Sequence, residues 1–296
     1  MSGGVRVTVP ASAANLGPGF DALGLALALY DVVDVAVTGE GVKGTITGEG
    51  ADLVVDESHL VVRALLATAK RLDLDLPGVQ LTCANAIPHA RGLGSSAAAI
   101  VAGVAAGYAL AGREPDAGAL QLAAEFEGHA DNVAASLHGG LALAWAEPGP
   151  AYHAVRLEPH ASLRPVLLVP AERSATKLTR GLLPATVPHA DAAFAAGRCA
   201  LAVHALTTSP GLLLTATEDR LHQDYREQAW PNTMRVVREL RGNGVAATVS
   251  GAGPAVFAAT VDGRLPAGVD TTGFAVRPLA VDRGGVRTEQ IGTNSR

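Results

Sequence analysis

Apolar residues along this chain recur with two periods. β-branched residues alternate or cluster over 5–9 and 32–37, which predicts strands, and the glycine-bounded stretch 41–50 reads as a hairpin region. Over 59–72, Leu60, Ala64, Ala67 and Arg71 fall at near-helical spacing, and Pro77-Gly78 closes the connection that follows. A strand over 79–84, a helix over 100–111, a second helix over 116–128 capped by Asp116 and a strand over 140–146 complete the first half. In the second half the pattern predicts strands over 152–157, 163–169, 245–250, 255–261 and 273–278. Helices are expected there over 190–207, 210–214 and 234–242. Strands precede helices in both halves, which predicts an α+β fold. Pro148-Gly149-Pro150 is the first break in composition, so the chain is divided there into an amino-terminal domain, 1–150, and a carboxy-terminal domain, 151–296.

Composition narrows the class. With 48% hydrophobic residues, 17% charged residues and a net charge of -5, the chain reads as a compact, mildly acidic protein rather than a disordered one. Its 23 Lys and Arg are dispersed, which argues against a nucleic-acid partner. Cys83 and Cys199 are isolated and show no metal-ligand spacing, so they read as buried thiols in a reducing compartment. The apolar stretch 97–111 is too short to span a membrane, and the first twenty residues lack a basic region followed by an apolar one. A cytoplasmic location with no membrane partner is the expectation.

The chemistry concentrates in Pro88-His-Ala-Arg-Gly-Leu-Gly-Ser-Ser-Ala-Ala-Ala99. Gly92 and Gly94 let the backbone approach an anion, Ser95 and Ser96 add hydroxyls, and the N–H groups of the helix that follows face the same point. A Walker loop would need Gly-Lys followed by Ser or Thr, and no such run occurs. Two further glycine-bearing elements lie far away. One is Val9-Pro-Ala-Ser-Ala-Ala-Asn-Leu-Gly-Pro-Gly-Phe-Asp-Ala-Leu-Gly24, and the other is Val249-Ser-Gly-Ala-Gly-Pro-Ala-Val-Phe257. Three punctuated loops in an apolar chain suggest one composite phosphate-handling site.

In order and separation these three elements resemble the signature motifs of the GHMP kinases. Within that family, residues 15–21, His129-Ala-Asp-Asn-Val-Ala-Ala135 and Thr176-Lys-Leu-Thr-Arg180 are similar to the homoserine-phosphorylating branch. The resemblance implies a GHMP kinase-like two-domain fold. Its amino-terminal domain carries the phosphate loop, its carboxy-terminal domain is an α/β sandwich, and the active site lies between them. It also implies ATP and Mg2+ as cofactors, L-homoserine as substrate, a place in threonine biosynthesis and a homodimer. A related kinase acting on a mevalonate-type or sugar alcohol is the alternative, and a non-enzymatic ligand-binding relative is the third class. The intact loop at 92–96 together with Asp21 and Arg180 argues against the last.

Residue by residue, the cofactor loop is expected to comprise Pro88, His89, Ala90, Arg91, Gly92, Leu93, Gly94, Ser95, Ser96 and Ala97. Ser96 and Glu125 are the expected Mg2+ ligands, with Glu127, two positions on along the helix, ranked below Glu125. Asn15, Asp21, His129, Asn132, Arg180 and Arg226 are expected to line the substrate site, the arginines gripping a carboxylate or the transferring phosphoryl group. Catalysis is assigned to Asp21, Arg180, Ser96 and Glu125 through positioning and charge neutralisation. Asp131 is read as a structural carboxylate that orients a turn, although an aspartate serves as base in mevalonate and galactose kinases. Asp224 and Ala135 stand where the family more often has proline. The Gly251–Gly253 element is expected to pack on the phosphate loop, and His59 and Arg63 lie on a helix that could border a purine.

Overall fold

The computed structural model describes residues 3–149, 151–173 and 179–292. Its spine is a pair of long antiparallel strands, β1 (Gly3–Asn15) and β2 (Gly19–Thr38). The sequence suggests a turn-rich loop over 9–24, but only residues 16–18 remain outside these strands. Small apolar residues decide this, because Ala11 and Ala13 are fully buried and β1 carries them into the core. After β3 (Gly41–Gly48), helix α1 (Leu60–Arg71) and β4 (Gly78–Asn85), the chain enters α2 (Ser95–Leu110). The hairpin expected at 41–50 does not form. β4 takes the edge of β2, in antiparallel register, and β3 then pairs parallel to the far side of β4.

Helices α3 (Ala117–Glu127) and α4 (Asp131–His138) follow, then strands β5 (Leu141–Ala146) and β6 (Tyr152–Leu157). Asp116 caps α3 as expected, accepting a hydrogen bond from the Gly118 N–H. α4 replaces the turn expected around Asp131. The remaining elements are β7 (Val166–Pro170), α5 (His189–Thr207), the short α6 (Leu213–Ala216), α7 (Pro231–Gly242), β8 (Ala246–Val249), β9 (Val256–Ala259), β10 (Phe274–Pro278) and β11 (Arg287–Gly292).

One sheet has the order β11-β1-β2-β4-β3, with β5 pairing to β2 and β6 to β5; the other is β10-β7-β9-β8. Both β6 and β11 come from beyond residue 150, so the first sheet draws strands from either side of the Pro-Gly-Pro break. β11 escapes sequence reading because its run Arg287-Thr-Glu-Gln-Ile-Gly292 is mostly polar; its main-chain pairing to β1 makes the strand. Mixed strands and helices in these layers make the fold α+β.

The placement of α2 sets up the site. It is apolar all round, with Ala97, Ile100, Val101, Val104 and Ala105 at 1% exposure or less. Gly103 lets α1 approach closely, since a Cβ there would lie 2.3 Å from the Val61 carbonyl oxygen. Burial on every side fixes the axis of α2, and its amino terminus opens onto the cleft. A second apolar cluster, including Val166, Met234, Val237, Leu240 and Val256, packs α7 on the smaller sheet, whose β8–β9 turn meets the loop that leads into α2.

Candidate active site

Gly94 is the N-cap of α2, with φ 67°, and offers no side chain to cap the helix. Its first turn contains no acidic residue, so the positive end of the dipole and the first N–H groups are open to an anion. They face a cavity of about 640 Å³. Of the ten loop residues, His89, Ala90, Gly92, Gly94, Ser95 and Ser96 line it. Pro88, Leu93 and Ala97 are buried behind the loop. Arg91 turns away from the cavity. It donates from Nε to the Pro170 carbonyl at 3.0 Å and from Nη2 to the Ala171 carbonyl at 3.1 Å, tying the loop to the end of β7.

The distant glycine element packs on this loop. Ser250 Oγ donates to the Gly92 carbonyl at 2.6 Å, and the Ala255 N–H donates to the Arg91 carbonyl at 3.1 Å. A Cβ on Gly92, which has φ +78°, would lie 2.2 Å from the Ser250 carbonyl oxygen. The first motif joins the same knot: the Gly251 N–H donates to the Ala14 carbonyl, and Asn15 Nδ2 donates to the Gly251 carbonyl at 2.8 Å.

The pairing of Ser96 with Glu125 is corrected by the geometry. Ser96 Oγ donates to Glu127 Oε1 at 2.6 Å, and Glu127 lines the cavity. Glu125 is exposed outside it and accepts from Gln121 Nε2 at 2.7 Å, one helical turn away. Two residues along a helix turn a side chain through about 200°, so only one of the two glutamates can face α2. Burial raises the pKa of Glu127, opposed by the Ser96 hydrogen bond and by His129.

All six expected substrate residues line the cavity. Arg180 grips Asp21 with both Nη atoms, at 2.8 and 2.7 Å, and its guanidinium carbon sits 5.3 Å from the Phe20 ring centroid. The Asp21 N–H donates to Asn15 Oδ1 at 3.0 Å, and Asp21 holds φ 55°, a left-handed conformation unusual for a residue with a side chain. Asn132 Oδ1 accepts from Ser12 Oγ at 2.8 Å. Asp131 Oδ1 takes the Asn132 N–H and meets His129 Nδ1, both at 2.7 Å. Burial disfavours the charged His129, yet the hydrogen bond to Asp131 and the charges of Asp131, Glu127 and Asp21 outweigh it and raise its pKa. Arg226 is 2% exposed, with a pKa pushed down to about 10 by burial and by the charge of Arg180. Its Nε is buried without a hydrogen-bond partner among the described residues. Of the segment 176–180, only Thr179 and Arg180 belong to the described residues; Thr176, Lys177 and Leu178 lie outside them.

Leu53, Val54, His59, Cys83 and Asn85 also line the cavity, with Leu53 and Val54 exposed. His59 reaches the cavity and Arg63 does not. Sequence reading misses Leu53 and Val54, since two apolar residues in a loop carry no periodic signal. It also misses Phe20 and Ser12 as site residues, although both fall inside the first quoted motif.

Residues 59–140 match the family described as GHMP kinases N terminal domain. Over 98% of its length the chain is 50% identical to a homoserine kinase of Streptomyces coelicolor, of which it covers 96%. It is likewise 50% identical to a homoserine kinase of Rhodococcus opacus, over 97% of this chain and 98% of that one. Among solved structures, a homoserine kinase from Cytophaga hutchinsonii superposes with TM-score 0.84 at 27% identity, covering 97% of each chain. A mevalonate diphosphate decarboxylase from Staphylococcus aureus, 16% identical with TM-score 0.67 over 98% of each chain, shares the fold.

Proposed function

We infer that this chain, which belongs to the homoserine kinase family of the GHMP kinases, is itself a homoserine kinase. It transfers the γ-phosphoryl group of ATP to the hydroxyl of L-homoserine, giving O-phospho-L-homoserine and ADP. One observation carries the reading beyond the family: the uncapped amino terminus of α2 and the Asp21, Arg180, Arg226, His129 and Asn132 set open into the same cavity. A phosphate-binding helix end and a charge pattern complementary to an amino acid thus share one enclosure.

The residues fit both cofactors. The open first turn of α2 suits the phosphates, and the loop amides of Gly92 and Gly94 approach them without a side chain in the way. Ser96 and Glu127 offer two oxygen ligands, the donor type Mg2+ takes. Among the described residues no group of three or more His, Cys, Asp or Glu gathers as a metal cage, which accords with an ion held by a few protein oxygens and the nucleotide. Mg2+ would supply neutralisation of charge on the phosphate oxygens.

The protein's own part is placement. Asp21 is proposed to take the substrate ammonium, Arg226 and Arg180 its carboxylate, and His129 and Asn132 to orient the hydroxyl toward the α2 terminus. Asp131 is already engaged by the Asn132 amide and His129 at 1% exposure, which supports a structural role over that of a base. The loop amides and Arg180 would then stabilise charge developing on the transferred group.

The test is ADP release from ATP and Mg2+ with L-homoserine, D-homoserine, L-threonine, L-serine, mevalonate and galactose in turn. Turnover selective for L-homoserine is expected; turnover of mevalonate or galactose with homoserine inert would move the chain to another GHMP activity. A cytoplasmic setting, a role in threonine biosynthesis and a homodimer complete the proposal. Among the described residues no helix is long and apolar enough to cross a membrane.

A further inference from the structure

His222 lies behind the cavity wall, fully buried, and does not line the cleft. Both of its ring nitrogens are nevertheless engaged. Arg226 Nη1 donates to Nδ1 at 2.5 Å, and Nε2 lies 2.8 Å from the Gly17 carbonyl oxygen. A guanidinium can only donate, so Nδ1 must accept, and the ring proton belongs on Nε2, where Gly17 receives it. The ring also packs on Phe20, centroid to centroid 5.3 Å.

The segment that carries this pair is itself pinned. Asp219 accepts the N–H groups of His222 and Gln223 at 3.0 and 2.8 Å, and Gln223 Oε1 accepts the Val249 N–H at 2.6 Å. His222 therefore stands on a rigid base, between the Gly17 turn of the first motif and the one arginine of the cleft that is almost wholly buried. Among the described residues nothing partners the Arg226 Nε–H, as for a group waiting for a ligand oxygen.

We propose that His222 is a positioning residue for homoserine binding: its lone pair at Nδ1 holds the Arg226 guanidinium in line with the substrate carboxylate, and its Nε2–H anchors that pair to the Gly17 turn. The inference rests on the assignment of Arg226 to the carboxylate. A doubly protonated ring would lose the acceptor and set two cations in contact. Burial pushes the His222 pKa down with the help of Arg226, against the opposing pull of Asp219 at 3.7 Å and of Asp21, in the same direction as the neutral ring that the Arg226 hydrogen bond requires.

The experiment measures kcat, KM for L-homoserine, KM for ATP and Tm in the wild type and in His222→Leu, His222→Asn and His222→Gln. Asparagine restores an acceptor oxygen close to the Nδ1 position, whereas glutamine carries its polar end out toward Nε2. The KM for homoserine should rise about tenfold in the Leu and Gln variants, with the KM for ATP held within about twofold. Asparagine should recover most of the homoserine KM although its smaller side chain leaves a larger void and a lower Tm. If the KM follows Tm instead of the acceptor, or if His222→Leu leaves it unchanged, the positioning role is overturned. A wild-type enzyme that turns over ATP with another alcohol and not with homoserine would overturn the functional reading instead, and this inference with it. Nitrogen-15 NMR of histidine-labelled wild type gives a readout that needs no variant to fold: a neutral Nε2–H tautomer is expected, and an Nδ1–H tautomer or an imidazolium at pH 7 refutes the proposal.

Discussion

Ser96 Oγ and Glu127 Oε1 stand 2.6 Å apart, joining the first turn of α2 to the last turn of α3 at the mouth of the phosphate loop. A hydroxyl and a half-buried carboxylate at that point are the two oxygens proposed above to hold the cation that accompanies a nucleotide. Glu127→Gln keeps the hydrogen bond to Ser96 and removes the charge. Its kcat with ATP and Mg2+ should fall by about a hundredfold or more, as losing a charge at the transferring group does. Glu125→Gln, on the exposed side of the same helix, should stay within about twofold of wild type. Equal loss in the two variants would refute the assignment of the cation to Glu127.

The bidentate Arg180–Asp21 pair crosses from the second half of the chain to the first motif, with distances of 2.8 and 2.7 Å. Arg180→Lys retains the charge and forfeits the planar fork and its seat over Phe20. The KM for L-homoserine is expected to rise about tenfold, with a smaller change in the KM for ATP. Steady-state kinetics with each substrate varied in turn decides it; an effect confined to ATP would place Arg180 at the nucleotide instead.

Much of this site is legible in the sequence because its parts are local. Gly92, Gly94, Ser95 and Ser96 form one continuous run, and the three glycine elements announce themselves by composition. What sequence cannot show is the partner that each local signal meets. Residues 125 and 127 look alike until the position of α2 decides which one faces it. β3 reads as half of a hairpin because nothing nearby reveals that β4 inserts beside β2. β11 has no apolar alternation to betray it, and its strand character comes from the edge of β1, some 280 positions earlier by register Thr8↔Arg287. His222 likewise looks like any histidine until Arg226 and Gly17 close around it.

Glycine 92 is predicted to be irreplaceable for steric reasons. Gly92→Ala would set a Cβ 2.2 Å from the Ser250 carbonyl in a backbone at φ +78°, so the phosphate loop or the β8–β9 turn must move. A loss of at least about 2 kcal/mol is expected, together with the loss of ATP turnover. Gly197→Ala is the opposite case. This glycine lies within α5, with nothing within 4 Å of its would-be Cβ and no positive φ, so alanine should stabilise the protein by about 0.5–1 kcal/mol. Chemical denaturation of both variants tests the pair, and a neutral Gly92→Ala would show that the loop and the turn are not in close contact.

Asp31 provides a pH dependence with a definite sign. Its Oδ1 accepts the Ala86 and Ile87 N–H groups at 2.7 and 2.9 Å, at 5% exposure. Burial raises its pKa above the usual 3.8, and the two amide hydrogen bonds and His89 only partly offset it. A carboxyl whose folded pKa is raised binds protons more tightly in the native state. Its contribution to stability is therefore complete below the unfolded pKa and is lost as pH rises through the folded one. Asp31→Asn keeps an oxygen for both amides and never ionises. The variant should gain on the wild type as pH rises from about 3.5 toward neutrality, and the gap should then stay constant. Unfolding curves of the two proteins across that range measure the difference directly; a gap that narrows with rising pH would mean that the amide bonds, and not burial, govern this carboxylate.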